Sequence, residues 1–404
     1  MAHGTGGAPC ARGECVTATS GIGVTATSTA EVRDRVREAI AHQLPLRIVG
    51  GGSWLDANRP VRARSMVVAS GAAGIIEYEP GDLTITVRAG TTLAEIAHAT
   101  AAHRQWLTLD PYGDHSRATI GATIATASFG PLAHHFGTPR DLTLGVEFVA
   151  GTGDIVRGGG RVVKNVAGFD LTRLLTGSWG SLGIITEATL RLRAIPAVQP
   201  TIAIELASAA DKIEQARTKL HVLPFLPLAA ELVDATLARA ISVGDGSVLL
   251  VRLGGNEEAV RAQRDQLASV GVAQDTDAEV WRRLREAEPT RAAVLRLSRL
   301  PSRFAMTWRD AQQLVAKWPG GYCHGTIGRG IVRVVLPLGA AADDRSLHEV
   351  LDVPLDGQRI YERLPSDLWN TLAPSAIHNR LERDIKAAFD PQNVLNPGIL
   401  GETP

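Results

Sequence analysis

The chain has 404 residues, 45% of them hydrophobic, which is more than one typical domain holds and enough for a sizeable core. Lysine plus arginine equals aspartate plus glutamate at 42 each, so no basic excess draws it to nucleic acid or anionic lipid. Three cysteines cannot build a disulfide framework, and no run of about 18 apolar residues occurs, which predicts a cytoplasmic chain with no membrane-spanning helix.

Residues 1–28 are rich in Gly, Ala, Thr and Ser and lack the basic start and apolar stretch of a secretory signal, so they read as a disordered tail. Order is expected from Ser28, where STAE forms a capping box and Val32, Val36 and Ile40 recur at helical spacing, predicting a helix over 29–43. Pro45 ends it, and a short buried strand over 46–49 runs into Gly50, Gly51 and Gly52. Strands over 75–78 and 83–87 flank the turn Pro80, Gly81, Asp82, a hairpin with one polar face. TLAE at 92–95 opens a second helix, to about 103. A second hairpin is expected over 142–150 and 155–157, and a strand over 184–192 closes the region before Pro196. After Pro200 the texture becomes that of a second α+β unit, with a strand over 247–253 and helices over 256–270 and 277–288. A helix over 376–389 leads into FDPQNVLNPGIL.

Three glycines after a strand leave backbone N–H groups uncovered and permit positive φ, so successive amides can converge on an anion such as a pyrophosphate. A tight turn with no ligand fits the same residues. Neither GxGxxG opening a helix after a strand nor GxxxxGK[ST] occurs, so a Rossmann domain and a P-loop are poor readings. Over 119–126, Gly121 with the small Ala122, Ala125 and Ala127 makes a helix face thin enough for a flat ring or a ribose, or for close packing against another element.

The stretches PLRIVGGGS, LTLDP, ATIGATIATASFGP, GTPRDLTLGVEFV, VVKNVAGFDLTRLLTGSWGSLGIITEATLRL and FDPQNVLNPG, in this order, resemble the FAD-binding proteins of the vanillyl-alcohol oxidase and p-cresol methylhydroxylase superfamily. Within it the chain is most similar to the FAD-binding subunits of glycolate oxidases. The resemblance implies an α+β fold: a two-subdomain PCMH-type (p-cresol methylhydroxylase-type) FAD-binding domain over 29–196, an α+β cap domain over 197–365, and a segment over 366–404 returning to the FAD domain. It assigns Gly50, Gly51, Gly52, Ser53 and Trp54 to the pyrophosphate loop. Asp110, Pro111, Ser116, Thr119, Ile120, Gly121 and Ala125 fall along the flavin and ribityl chain, Gly183 and Ile184 beside the adenosine part or the ring, and Asn396 at the isoalloxazine. Relatives with tethered flavin carry a histidine at the end of the glycine loop. Ser53 and Trp54 stand there instead, which implies non-covalent FAD, with His135 the other candidate for a tether.

Oxidising a 2-hydroxy acid requires a cation for the carboxylate, a base for the hydroxyl proton and the flavin N5 as hydride acceptor. RLSRLPSRF and GYCHGTIGRGIVRV supply Arg303, His324, Arg329 and Arg333, of which Arg303, His324 and Arg329 are the catalytic candidates. An arginine taken singly is more often an ion-paired or solvated surface residue, and a lone histidine more often structural. The segment of His324 resembles the histidine–glycine motif of D-2-hydroxy-acid dehydrogenases, where a second histidine serves as metal ligand; here Gly328, Arg329 and Gly330 follow, and no metal is expected. His134 and His135 are adjacent and, in an extended segment, face opposite ways rather than chelating. In VKNVAGFDL, Val163 and Ala167 replace polar residues of substrate-oxidising relatives, while Lys164 remains.

Three functions remain open. The first is a glycolate oxidase-type dehydrogenase subunit that passes electrons to a second flavoprotein and an iron–sulfur chain, since this chain has no cysteine pattern for a cluster of its own; any membrane association would come through those partners. The second is a non-catalytic FAD-binding relay subunit of the same complex. The third is a stand-alone alcohol or sugar-lactone oxidase.

Overall fold

Three sheets organise the computed structural model, which describes residues 23–63, 65–160, 170–206, 209–339, 344–373, 375–377 and 379–401. The smallest is parallel: Leu46–Val49 and Gly23–Thr25 both pair with Ser65–Val68. The strand at Gly23 precedes Ser28, where order was expected to begin. Cys10, Cys15, Val163, Lys164 and Ala167 lie outside the described residues. Helix Thr29–His42 starts where the Ser28 hydroxyl accepts the Glu31 N–H at 3.2 Å, and it buries Val32, Val36 and Ala39. These join Leu46, Val149, Ile184 and Leu395 in one cluster, so the helix fastens the small sheet to the next.

The second sheet is antiparallel, in the order Ile75–Glu79, Thr84–Arg88, Gly183–Arg191, Thr143–Ala150, Ile155–Gly159. Leu83, expected to open its strand, instead takes a left-handed φ of 54° and closes a turn over Pro80–Asp82, which leaves Ile85 and Val87 as the strand's buried face. Helices Leu93–Ala101 and Ile120–Ala125 cover that face with Ile96, Ile120 and Ile124. The first begins at the expected capping box, Thr92 with Glu95.

The third sheet has eight antiparallel strands, in the order Ala273–Thr276, Thr201–Leu206, Ser247–Arg252, Ala229–Val233, Tyr322–Thr326, Ile331–Pro337, Ala292–Ser298, Gln358–Arg363. One face packs against helices Ala210–His221 and Phe304–Val315 through Ile213, Phe304 and Trp308. The other face carries Val233, Leu250, Val294 and Tyr322, and Tyr112 from the earlier part of the chain packs against it. Helix Arg380–Phe389 then returns the chain, where Leu46 donates its N–H to the Val394 carbonyl at 2.8 Å. No helix among the described residues is long and apolar enough to cross a membrane.

Candidate active site

Strand Leu46–Val49 delivers the glycine loop into a cleft whose walls include Gly50, Gly52, Ser53, Trp54, Thr119, Gly121, Ala125, Gly183, Ile184 and Asn396. Of the three glycines only Gly52 has positive φ, at 76°. Gly50 and Gly51 are needed for space: a Cβ on Gly50 would stand 2.6 Å from the Thr119 Oγ1, and one on Gly51 would collide with the Arg117 carbonyl. Among the described residues, the N–H groups of Gly51, Gly52, Ser53 and Trp54 make no hydrogen bond. The buried Thr119 hydroxyl also lacks a partner. Four successive free amides beside a buried orphan hydroxyl form a donor set suited to a diphosphate, and a ligand-free turn leaves that hydroxyl unexplained.

Gly121 serves both purposes the sequence left open. Its N–H donates to the Ala89 carbonyl at 2.9 Å, and a Cβ would approach the Ala89 Cβ to 2.7 Å, so the helix packs tightly on a neighbour while Gly121 and Ala125 line the cleft. Ile120, assigned to the flavin, points the other way into the core with no exposed surface. Asn396 lines the cleft but its amide is fully engaged. The Oδ1 accepts the Ile48 N–H and the Nδ2 donates to the Trp179 carbonyl, both at 2.8 Å, so it clamps the glycine-loop strand to the Trp179 turn.

Asp110, Pro111 and Ser116, which the resemblance places along the flavin and ribityl chain, are not among the residues that line the cleft. The Asp110 carboxylate is buried and accepts the Leu132 N–H at 3.1 Å. Burial pushes its pKa up to about 7, against the pull of Arg285. The Pro111 carbonyl is bonded to the His115 Nε2 at 3.0 Å, and the Ser116 hydroxyl donates to Asp114 at 2.7 Å in an exposed turn. Their work is to shape the loop that presents Tyr112.

Past Trp54, Arg59 and Trp179 the cleft opens into a cavity of about 390 Å³ against the third sheet. Five arginines and two glutamates line it, an excess of cations that favours an anionic ligand. Arg59 lies between the rings of Trp179 and Trp369, 4.1 and 4.3 Å from their centroids, and burial pushes its pKa down to about 10. Arg333 donates to Glu362 at 2.6 Å and to Glu288 at 3.0 Å, and Arg363 pairs with Glu288 at 2.8 Å. Burial alone would raise the Glu362 carboxyl, but Arg333 and Arg296 hold it below the ordinary value. Arg296 is the exception: it stands 3.6 Å from Glu362 and over the Phe129 ring at 5.0 Å, and makes no hydrogen bond to a described residue.

The catalytic candidates are dispersed. Arg303, a catalytic candidate from the sequence, is exposed in the turn Pro301–Arg303 and lines neither part of the cleft. Arg329 donates to the Ala133 carbonyl at 2.7 Å and lies over the Phe129 ring, 5.4 Å from its centroid. His324 is 2% exposed in the middle of Tyr322–Thr326, with Nδ1 2.7 Å from Glu231. It lines a separate cavity of about 10 Å³ that shares Tyr112, Phe129, Arg296, Arg333 and Glu362 with the larger one. The donor set does not fit the metal implied by the histidine–glycine resemblance: Arg333 stands across the strand from His324, and no metal-binding group of three His, Cys, Asp or Glu occurs among the described residues.

Sequence reasoning missed Arg59, Tyr112, Glu231 and Arg296. A signal existed for the last: Arg296 and Arg333 each interrupt an apolar strand, and they are direct cross-strand neighbours. Like charges placed so repel unless a third group bridges them, and Glu362 does.

Comparison with known proteins supplies the class. The model of the FAD binding domain family matches residues 22–159. The solved structure of p-cresol methylhydroxylase superposes with a TM-score of 0.70 at 17% identity, covering 94% of this chain and 88% of that one, which establishes the fold. The fold is that of the PCMH-type FAD-binding proteins. Glycolate oxidase subunit GlcE of Escherichia coli is 30% identical over 371 residues, covering 90% of this chain and 95% of that one. The chain belongs to that family. A D-lactate dehydrogenase of Archaeoglobus fulgidus is 26% identical over 409 residues, covering 92% and 89%.

Proposed function

We propose that this chain is the subunit of a multi-chain 2-hydroxy-acid dehydrogenase in which non-covalently held FAD meets a small substrate such as glycolate or D-lactate. The observation that carries the reading is a cation-rich cavity adjoining the glycine cradle, in which Arg296 keeps its hydrogen-bond donors uncommitted. When bound, FAD supplies the acceptor for the hydride that leaves the hydroxyl-bearing carbon. The glycine-loop amides hold its diphosphate, Arg296 takes the substrate carboxylate in a forked pair, and His324 receives the hydroxyl proton. Arg333 and Arg363, already paired with glutamates, hold the cavity wall in place. His135 has its Nδ1 bonded to the Leu226 carbonyl at 3.1 Å and lines neither part of the cleft, which supports untethered flavin. Relatives named as oxidase subunits support a complex, and we infer a second flavoprotein and an iron–sulfur chain as its partners.

A second reading, a relay subunit that binds FAD without oxidising substrate, is favoured by the seclusion of His324 behind Tyr112 and Phe129. Anaerobic addition of glycolate or D-lactate to the purified yellow protein separates the two. Bleaching of the flavin band by the chain alone is the expected outcome. Bleaching only after partner chains are added supports the relay, and none in either case defeats both.

A further inference from the structure

Resting on the reading of His324 as proton acceptor, we propose that Glu231 is a positioning residue that, together with Tyr112, fixes His324 in the tautomer protonated on Nδ1. Nε2 then offers its lone pair to a one-water cavity and takes the substrate's hydroxyl proton through that water.

Strand register places these groups together. In the antiparallel pair of Ala229–Val233 with Tyr322–Thr326, Glu231 stands opposite Thr326 and Val233 opposite His324, so Glu231, His324 and Thr326 share one face of the sheet. Glu231 is 1% exposed and has three partners: Oε1 faces the His324 Nδ1 at 2.7 Å and accepts the Tyr112 hydroxyl at 3.0 Å, while Oε2 accepts the Thr326 hydroxyl at 2.8 Å. As an ionised carboxylate Glu231 can only accept, so in the proposed arrangement Nδ1 carries the N–H. That leaves Nε2 as the acceptor, and it makes no hydrogen bond to a described residue.

The imidazole lines the cavity of about 10 Å³, whose polar walls are Tyr112, Arg296, Thr326, Arg333 and Glu362; the volume holds one water. Arg296 lines this cavity and the larger one, so a carboxylate held by Arg296 sets the substrate hydroxyl at the boundary between them. On oxidation the O–H bond breaks, its proton passes to the water, and the water passes one of its own to Nε2. The hydride leaves separately to the acceptor named above. Glu231 then faces the resulting imidazolium, while Tyr112 keeps its proton, since burial and Glu231 push its ionisation far up. A glutamate retained for stability alone would be a poor choice here, because an apolar residue of similar volume avoids the desolvation cost. The charged groups around the imidazole are Glu231, Arg333, Arg296, Glu362 and Asp234, and the first two are its nearest neighbours by pairing.

Two readouts test this on FAD-loaded protein. Nitrogen-15 histidine spectra should give His324 as the Nδ1–H tautomer in the wild type and shift it toward Nε2–H in Glu231→Gln, whose amide N–H can donate to Nδ1. Flavin reduction by substrate, with partner chains present, should slow by about 100-fold or more in Glu231→Gln. The KM should stay within about 2-fold, because Glu231 does not touch the carboxylate. Glu231→Asp should recover part of the rate, and Tyr112→Phe, which keeps the ring, should cost less than Glu231→Gln while retaining the tautomer. An unchanged tautomer and an unchanged rate in Glu231→Gln overturn the proposal, and so does an equal loss of FAD and of rate that Glu231→Asp does not relieve. A wild type whose flavin no 2-hydroxy acid reduces removes the proposed function as well; a reducible wild type with an equally fast Glu231→Gln removes only this inference.

Discussion

The two walls of the cleft are built by opposite means. On the glycine side the donors are backbone amides, and side chains matter chiefly by being absent or small, as at Gly50, Gly51 and Gly121. On the cap side the backbone is locked in a sheet and the polar groups are side chains, drawn from strands that begin at residues 229, 292, 322, 331 and 358. In the proposed function the first wall holds a cofactor common to many reactions, and the substrate, which differs between reactions, meets the second.

The sharpest way to break the comparison is to put a side chain on the glycine wall. Gly51→Val drives its Cβ into the Arg117 carbonyl and adds two methyl groups beyond it. Purified Gly51→Val is expected to be colourless while keeping a cooperative thermal transition, read as flavin absorbance and circular dichroism on the same sample. A yellow variant with ordinary FAD stoichiometry would show that the loop does not grip the diphosphate.

On the cap wall the matching change removes a charge. Arg333→Met takes from buried Glu362 its main partner and from Glu288 one of its two arginines, which is expected to cost about 3–5 kcal/mol of stability. Denaturant unfolding of the FAD-loaded protein measures it, and recovery in a variant that also replaces both glutamates by glutamine would assign the loss to stranded charge. Arg296→Ala strands less, because Arg296 is loosely paired. Its expected effect is on substrate: KM for glycolate rises about 10- to 100-fold, the equivalent of one forked hydrogen-bonded charge pair, with FAD content unchanged.

This contrast also explains what could be read without a structure. The glycine wall is written in contiguous motifs, because backbone donors come in sequence order; Gly50, Gly52, Ser53, Trp54, Gly121 and Gly183, named from local pattern and family resemblance, all line the cleft. Helix phase and turn chemistry are harder to read: Ile120, named with them, turns into the core, and Ser116 closes an Asp114 turn. The cap wall depends on which residues face one another across strands. Arg296 and Arg333, or Glu231 and Thr326, are neighbours only once the register is known. Arg303, seven residues from Arg296, carries the same charge and the same apparent promise, but lies beyond the strand's end on an exposed turn.

Asp110 lies buried behind the cleft, between the parts of the chain that carry its two walls, and gives the smallest expected effect, read through pH. It accepts an N–H from Leu132 on the FAD side and feels Arg285, Arg252 and Glu231 from the cap. Its pKa rises from 3.8 to about 7 on folding, chiefly through burial, so between those values the folded state binds more protons than the unfolded one. Stability must therefore fall as pH rises through that window, and level off once Asp110 is ionised in both states. Asp110→Asn keeps an oxygen for the Leu132 N–H but cannot ionise, so its stability is expected to be flatter across the same range. Thermal unfolding of both proteins from pH 5 to pH 8, with FAD saturating, makes the comparison. Parallel curves would mean that Arg285 and Arg252 hold Asp110 charged throughout, as an ion pair; converging curves at low pH mean that it is a buried neutral acid.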